Sequence, residues 1–221
     1  MTAKIEGQPL NAIFGFETLG ICDNQELYDK YAPMMQKYNP KWGMGDIIIK
    51  DRTGEGVIND EDRTVIGNSI PRFTFGLNLG FEYKGFDFSC FFQGVGKADG
   101  YVTMEAIQPM GINGARKEHY KESFNPQDPK PGAYFPRILS SDYNYAYMSH
   151  WVQDASYIRL KNLQIGYSFK IKGLNQLRVY ASGENLFTAT KYRTWDPETP
   201  VGARGFYPNV AVYSMGVNLN F

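Results

Sequence analysis

Between Arg72 and Val95 the chain alternates large apolar side chains with small or polar ones on both sides of one tight break. Phe73, Phe75, Leu77, Leu79, Phe81 and Tyr83 interleave with Thr74, Gly76, Asn78, Gly80 and Glu82. After Lys84-Gly85 the apolar set resumes at Phe86, Phe88, Cys90 and Phe92, against Asp87, Ser89, Phe91 and Gln93. Successive strand side chains point to opposite faces, so a two-residue turn at Lys84-Gly85 pairs Tyr83 with Phe86 and Phe81 with Phe88. Both apolar rows then share one face, and a slip of one residue would move a whole row to the other. The opposite face carries Thr, Gly, Asn, Glu, Asp and Gln, too polar for a sandwich interior. One greasy aromatic face and one hydrated face, joined by a very short turn, suit the wall of a membrane barrel.

The same period returns in residues 209–221, where Ala211, Tyr213, Met215, Val217, Leu219 and Phe221 oppose Val210, Val212, Ser214, Gly216, Asn218 and Asn220. Alternation here is shared by the last strand of a soluble sandwich and the closing strand of an outer-membrane barrel. A further strand is expected over 155–169, with Leu163, Ile165, Tyr167 and Phe169 on one face. Upstream, Ile158 and Leu160 break its parity, which calls for a bulge or a protein-covered patch. Residues 177–187 put Leu177, Val179 and Ala181 opposite Arg178, Tyr180, Ser182 and Glu184, after a short turn holding Gly173 and Asn175.

The expectation is therefore an all-β chain of about five antiparallel strands, at 72–83, 86–95, 155–169, 177–187 and 209–221, with long loops at 96–154 and 188–208. Short and long connections alternate, as in barrels with tight periplasmic turns and long extracellular loops. Residues 1–71 are read as one more extracellular loop region. Within it, Ile13 to Cys22 is a short strand or strand end, and Asp23-Asn24-Gln25-Glu26 caps a helix through Tyr28 and Tyr31 that Pro33 interrupts.

Composition narrows the partners. With 23 Lys plus Arg against 23 Asp plus Glu there is no net charge, which argues against nucleic acid. Aromatic residues reach 15%, with 16 Tyr, a ring that favours places apolar at one end and wet at the other. No stretch approaches the roughly 20 apolar residues of a membrane-spanning helix, whereas strands need only about 9–11. Cys22 and Cys90 lie far apart without a CxxC partner, so different environments are expected for them and nothing forces a disulfide.

One motif has ligand spacing. Residues 51–62 lie on a twelve-residue calcium loop, with Asp51, Thr53, Glu55, Asn59 and Asp62 as oxygen donors and the Val57 carbonyl as another. Gly56 takes the sharp-turn position and Ile58 the apolar one, as in the loop sites of dockerin modules. An acidic turn whose Asp51 and Asp62 cap backbone amides is the alternative. No catalytic constellation is visible, and no enzyme is expected. His119, within Arg116-Lys117-Glu118-His119-Tyr120, reads as part of a solvated charged face. Arg178 and Glu184 would face the lumen of a barrel. The aromatic residues of the long loops (Tyr134, Phe135, Tyr143, Tyr145, Tyr147, Trp151; Tyr192, Trp195, Phe206, Tyr207) read as packing or as an interfacial girdle.

Several stretches, in this order, resemble the C-terminal portion of SusC/RagA-family TonB-dependent outer-membrane transporters of Bacteroidetes. They are Gly45-Asp46-Ile47 before the Asp51 loop, Asp62-Arg63-Thr64-Val65-Ile66-Gly67-Asn68 and Pro71-Arg72-Phe73. They continue with Gly80 to Asp87, Phe91-Phe92-Gln93-Gly94, Ala155 to Leu163, Gly183-Glu184-Asn185-Leu186-Phe187-Thr188 and Asn218-Leu219-Asn220-Phe221. The resemblance implies a barrel of about 22 strands in the outer membrane, energised by TonB, importing glycans or peptides with a SusD-like lipoprotein. Five strands at about 4.8 Å span only some 24 Å, so these residues alone are not expected to transport. MTAKIEGQPL lacks the apolar stretch of a secretory signal, which for this family predicts the tail of a longer chain. The rival reading is a secreted β-rich glycan-binding or adhesion module with a calcium-stabilised loop.

Overall fold

A computed structural model of the chain describes residues 2–3, 6–102, 107–109, 114–129, 131–138, 143–173, 175–193, 196–199 and 207–220. Phe221, Trp195 and Phe206, which the sequence placed in a strand and in loop packing, lie outside them. The strands are β1 (Thr2–Ala3), β2 (Ala12–Phe16), β3 (Thr18–Ile21), β4 (Ile47–Ile49), β5 (Arg63–Asn68) and β6 (Phe73–Tyr83). They continue with β7 (Phe86–Gly96), β8 (Asp99–Tyr101), β9 (Val152–Asp154), β10 (Tyr157–Phe169), β11 (Gln176–Thr190) and β12 (Val212–Asn220). Among the described residues, helices α1 (Gln25–Tyr38) and α2 (Lys117–Glu122) are complete. No described helix is long and apolar enough to cross a membrane.

The chain divides into two compact units. One comprises Met1–Ile70, Asp99–Gln153 and Pro200–Arg204; the other comprises Pro71–Ala98, Asp154–Thr199 and Gly205–Phe221. The second unit is a five-stranded meander, ordered β12-β11-β10-β7-β6, antiparallel throughout. Lys84 and Gly85 both have positive φ, +48° and +87°, the mirror-image turn whose twist matches a two-residue hairpin. Tyr83 therefore pairs with Phe86 and Phe81 with Phe88.

Register carries one apolar face across all five strands. Leu79 pairs with Cys90, Cys90 with Leu163, Leu163 with Gly183 and Gly183 with Tyr213. Large side chains on this face are open: Leu79 is 49% exposed and Met215 90%. The parity break in β10 is resolved by a bulge between Leu160 and Asn162. One extra residue, Lys161, returns Ile158 and Leu160 to the face of Leu163 and Ile165, because Leu160 pairs with Phe92 and Ile158 with Gly94.

The other face is polar and braced across strands. Asp87 on β7 and Arg178 on β11 meet over the intervening β10, with Arg178 Nε 2.9 Å from Asp87 Oδ2. Gly166 lies beneath them, and a Cβ there would stand 2.4 Å from Asp87 Oδ2 and 2.8 Å from Arg178 Nη2.

The first unit holds most of the residues that the sequence reading placed in the loop regions 1–71 and 96–154. They fold together, with β1-β2-β5, β3-β4 and β8-β9 pairing around a core that includes Ile13, Phe16, Met35, Trp42, Ile47, Ile48, Met148 and Trp151. Asn24 caps α1 by accepting from Leu27 N–H at 2.9 Å. Pro33 does not interrupt α1, which runs through it to Tyr38. Pro33 and Asp29 are both exposed, so the Asp29 carbonyl that loses its helical donor meets water instead.

Gly166→Ala is expected to destabilise the sheet by about 1–3 kcal/mol by displacing the Asp87–Arg178 pair. Denaturation midpoints in detergent measure it. In an Asp87→Ala/Arg178→Ala background most of the cost should vanish, and an unchanged cost would refute the bridge.

Candidate functional site

The densest polar cluster of the five-stranded sheet is built on the bulged end of β10. The Arg159 side chain is only 3% exposed. Its Nη2 donates to both carboxylate oxygens of Asp196 at 2.8 Å, Nη1 to Glu198 Oε2 at 3.0 Å and Nε to Thr188 Oγ1 at 2.8 Å. Glu198 also accepts from Lys161 Nζ at 2.8 Å, Tyr157 OH at 2.9 Å and Asn209 Nδ2 at 2.6 Å. Two cations face two carboxylates, so the cluster is neutral and pegs the β11–β12 connection to the polar side of β10. Removing one partner of such a buried set leaves an uncompensated charge, which makes it an all-or-none anchor. Arg178 and Glu184 do lie on the polar face, Arg178 tied to Asp87 and Glu184 exposed. The sequence reading missed the Arg159 cluster, since nothing local links residues 159 and 161 to Asp196-Pro197-Glu198.

In the first unit the central polar residue is Asp46, 1% exposed. Arg137 grips it with Nε to Oδ1 at 2.8 Å and Nη2 to Oδ2 at 2.6 Å. Asn144 Nδ2 donates to Asp46 Oδ1 at 2.9 Å, and Asn144 Oδ1 accepts from Ile47 N–H at 3.0 Å. This ties the start of β4 to residues far along the chain. Cys22, fully buried, is pushed up to about 11 by burial and then by the Asp46 and Asp23 charges, so it stays a thiol at neutral pH. Cys22 and Cys90 are both free.

His119 is not on a solvated face. It is 1% exposed, meets Phe135 edge-on at 4.6 Å, and accepts from Arg116 N–H at Nδ1. Other rings of this region also pack: Tyr145 stacks on Trp151 and Tyr101 lies against Tyr147. Burial holds His150 below its ordinary 6.5, against a contact of its Nε2 with the Tyr134 carbonyl.

The 51–62 loop closes around its two aspartates. Asp51 accepts from Gly54 N–H at 2.6 Å and Gly56 N–H at 2.7 Å. Asp62, fully buried, accepts from Arg52 N–H at 2.8 Å, Thr53 N–H at 3.2 Å and Asn59 N–H at 2.9 Å. The Thr53 hydroxyl stands between them, 3.2 Å from Asp51 Oδ1 and 3.3 Å from Asp62 Oδ1. Asn59 accepts from Glu61 N–H, while Glu55 and Val57 are exposed. The structure thus gathers Asp51, Thr53, Asn59 and Asp62 about one turn. Asp62 Oδ1 faces three protein donors, Arg52 N–H, Thr53 N–H and the Thr53 hydroxyl, whereas Oδ2 accepts from Asn59 N–H alone. Among the described residues no group of three or more His, Cys, Asp or Glu is arranged to hold a metal ion. Burial opposes ionisation of Asp62, yet its backbone donors and the Thr53 hydroxyl outweigh it and hold the carboxyl below its ordinary value.

That sign fixes a pH dependence. The Asp62 contribution is complete above the ordinary carboxyl value of 3.8 and is lost as pH falls through the lower folded value. Asp62→Asn should cost about 1–3 kcal/mol at neutral pH and flatten the acid limb of stability. Denaturation midpoints followed against pH check this, and a neutral-pH midpoint equal to the parent's would refute the role.

No family model matches the chain. It is 32% identical over 240 residues to TonB-dependent receptor P3 of Formosa agariphila, covering 98% of this chain and 22% of that protein. It is 27% identical over 185 residues to TonB-dependent receptor SusC of Bacteroides thetaiotaomicron, covering 79% of this chain and 17% of SusC. Its fold matches the RagAB peptide importer in the open-open state, with TM-score 0.71, 21% identity, and coverage of 97% of this chain and 23% of that one. A second RagAB peptide transporter structure gives TM-score 0.72 at 21% identity, with coverage of 96% and 22%. The chain spans about a fifth of the length of these relatives. By sequence the chain is similar over nearly its whole length to part of the TonB-dependent receptors, and its fold matches the C-terminal part of a RagA/SusC-type barrel.

Proposed function

We propose that this chain forms part of the wall of a TonB-dependent outer-membrane importer, taking up oligosaccharides or peptides beneath a SusD-like surface lipoprotein. The observation that carries the reading is the sheet of β6, β7, β10, β11 and β12, apolar and open on one face, polar and braced on the other. Hydrocarbon can cover the first face and water the second, while every backbone group in lipid must find a partner within the protein. β6 and β12 are the edges of this sheet among the described residues, and further barrel strands would pair with them.

In this reading the two short turns face the periplasm and the long connections face outward, where lipoprotein and substrate would meet. Asp87–Arg178 and the Arg159 cluster are fixed, charge-balanced parts of a water-filled lining rather than reacting groups. No residue is assigned to catalysis. The substrate classes are oligosaccharide and peptide, the latter supported by the name of the RagAB peptide importer.

Leu79→Arg on the apolar face should cost about 2–4 kcal/mol of stability in lipid, and Gln164→Arg on the polar face close to none. Unfolding from vesicles measures both. Equal costs, or a parent chain that folds as a detergent-free monomer, would instead favour the secreted glycan-binding module.

The spacing of Asp51, Thr53, Glu55, Val57, Asn59 and Asp62 carries a second proposal, that calcium binds the loop. Asp51, Thr53, Glu55, Asn59 and Asp62 would supply side-chain oxygens and Val57 its carbonyl, and Asp62 Oδ2 accepts only from Asn59 N–H. A rise in Tm with calcium that Asp51→Ala abolishes supports this. An unchanged Tm removes it.

A further inference from the structure

Three lysines gather on the two short turns at one end of the five-stranded sheet. Lys84 opens the β6–β7 turn, and Lys170 and Lys172 stand in the β10–β11 connection. The turns are neighbours, since Ser168 N–H donates to the Gly85 carbonyl at 2.7 Å. All three lysines are exposed, and none makes an ion pair among the described residues. The acids of this end lie on the polar face: Asp87 is held by Arg178, and Glu82 pairs across the hairpin with Asp87.

The apolar face reaches this end as a row of rings. Tyr83 is 65% exposed, Tyr167 44% and Phe169 43%, and Tyr167 meets Phe169 edge-on at 4.7 Å. Lys84 Nζ lies 5.2 Å from the Tyr83 ring. Exposed aromatic rings flanking an apolar band settle at headgroup level, and lysines just beyond them extend their amines into the headgroups.

We infer that Lys84, Lys170 and Lys172 form a docking surface for anionic phospholipid headgroups, seated by Tyr83, Tyr167 and Phe169. The inference rests on the membrane-wall reading above. It adds that the short-turn end selects lipid by charge, through ammonium contacts to headgroup phosphate. Two features identify the occupant: continuity with the apolar face, and a local positive charge without acidic partners in a chain that is neutral as a whole.

The test is flotation of the refolded chain with vesicles of phosphatidylcholine alone or mixed with phosphatidylglycerol. The parent should bind both, and the mixture about 10- to 100-fold more tightly, with the excess fading as salt is raised. Lys84→Gln/Lys170→Gln/Lys172→Gln should keep phosphatidylcholine binding and lose the excess. Lys30→Gln/Lys37→Gln/Lys41→Gln, with the same change in net charge, should keep it. An excess retained in the first variant, lost equally in the second, or competed away by inorganic phosphate at matched ionic strength would overturn the inference. Failure of the parent to bind phosphatidylcholine vesicles would overturn the membrane-wall reading itself.

Discussion

In the barrel-wall reading proposed above, the five-stranded sheet depends on one constraint: a strand that faces lipid on one side must keep its alternation in phase from end to end. A single change of parity would turn charged side chains into hydrocarbon. β10 meets this with its bulge, where one additional residue reverses the phase between Leu160 and Asn162. The same residue, Lys161, reaches Glu198 at 2.7 Å. Correcting the register and anchoring the next connection are therefore one structural event.

The polar face is held differently from the apolar one. Rings and aliphatic chains on the outer face need only a compatible solvent, so their exposure costs nothing in lipid. On the polar face two sets of charged groups are balanced, Asp87 with Arg178, and Arg159 and Lys161 with Asp196 and Glu198. Balance keeps these sets from imposing a strong field of either sign, in keeping with a chain of no net charge. Gly166 makes the first pair possible because only a residue without a side chain leaves room for two charged groups to meet above the strand.

The first unit shows how irregular connections acquire order. Asp46 is too deeply buried to be left alone, and satisfying it recruits Arg137 and Asn144 from far along the chain. That accounts physically for the Gly45-Asp46-Ile47 stretch: Ile47 is buried, and a Cβ on Gly45 would stand 2.3 Å from the Phe124 ring. The 51–62 turn is ordered by the same rule on a smaller scale, with carboxylates taking up amides that the tight backbone cannot pair with itself.

Period-two patterning is a local property, so the sequence by itself determined the hairpin register at Lys84-Gly85, the two faces and the all-β class. It also flagged the parity break at Ile158 and Leu160. It did not reveal that Arg159 grips Asp196 and Glu198, that His119 is buried, or that α1 continues through Pro33. Each of those depends on residues distant in sequence or on which surface meets water. Whether Asp51 and Asp62 turn towards amides is likewise a matter of how the loop closes, which spacing alone leaves open. Alternation states which side chains share a face. Only the tertiary structure decided which of them find partners, because burial and long-range pairing set the cost of leaving a polar group alone.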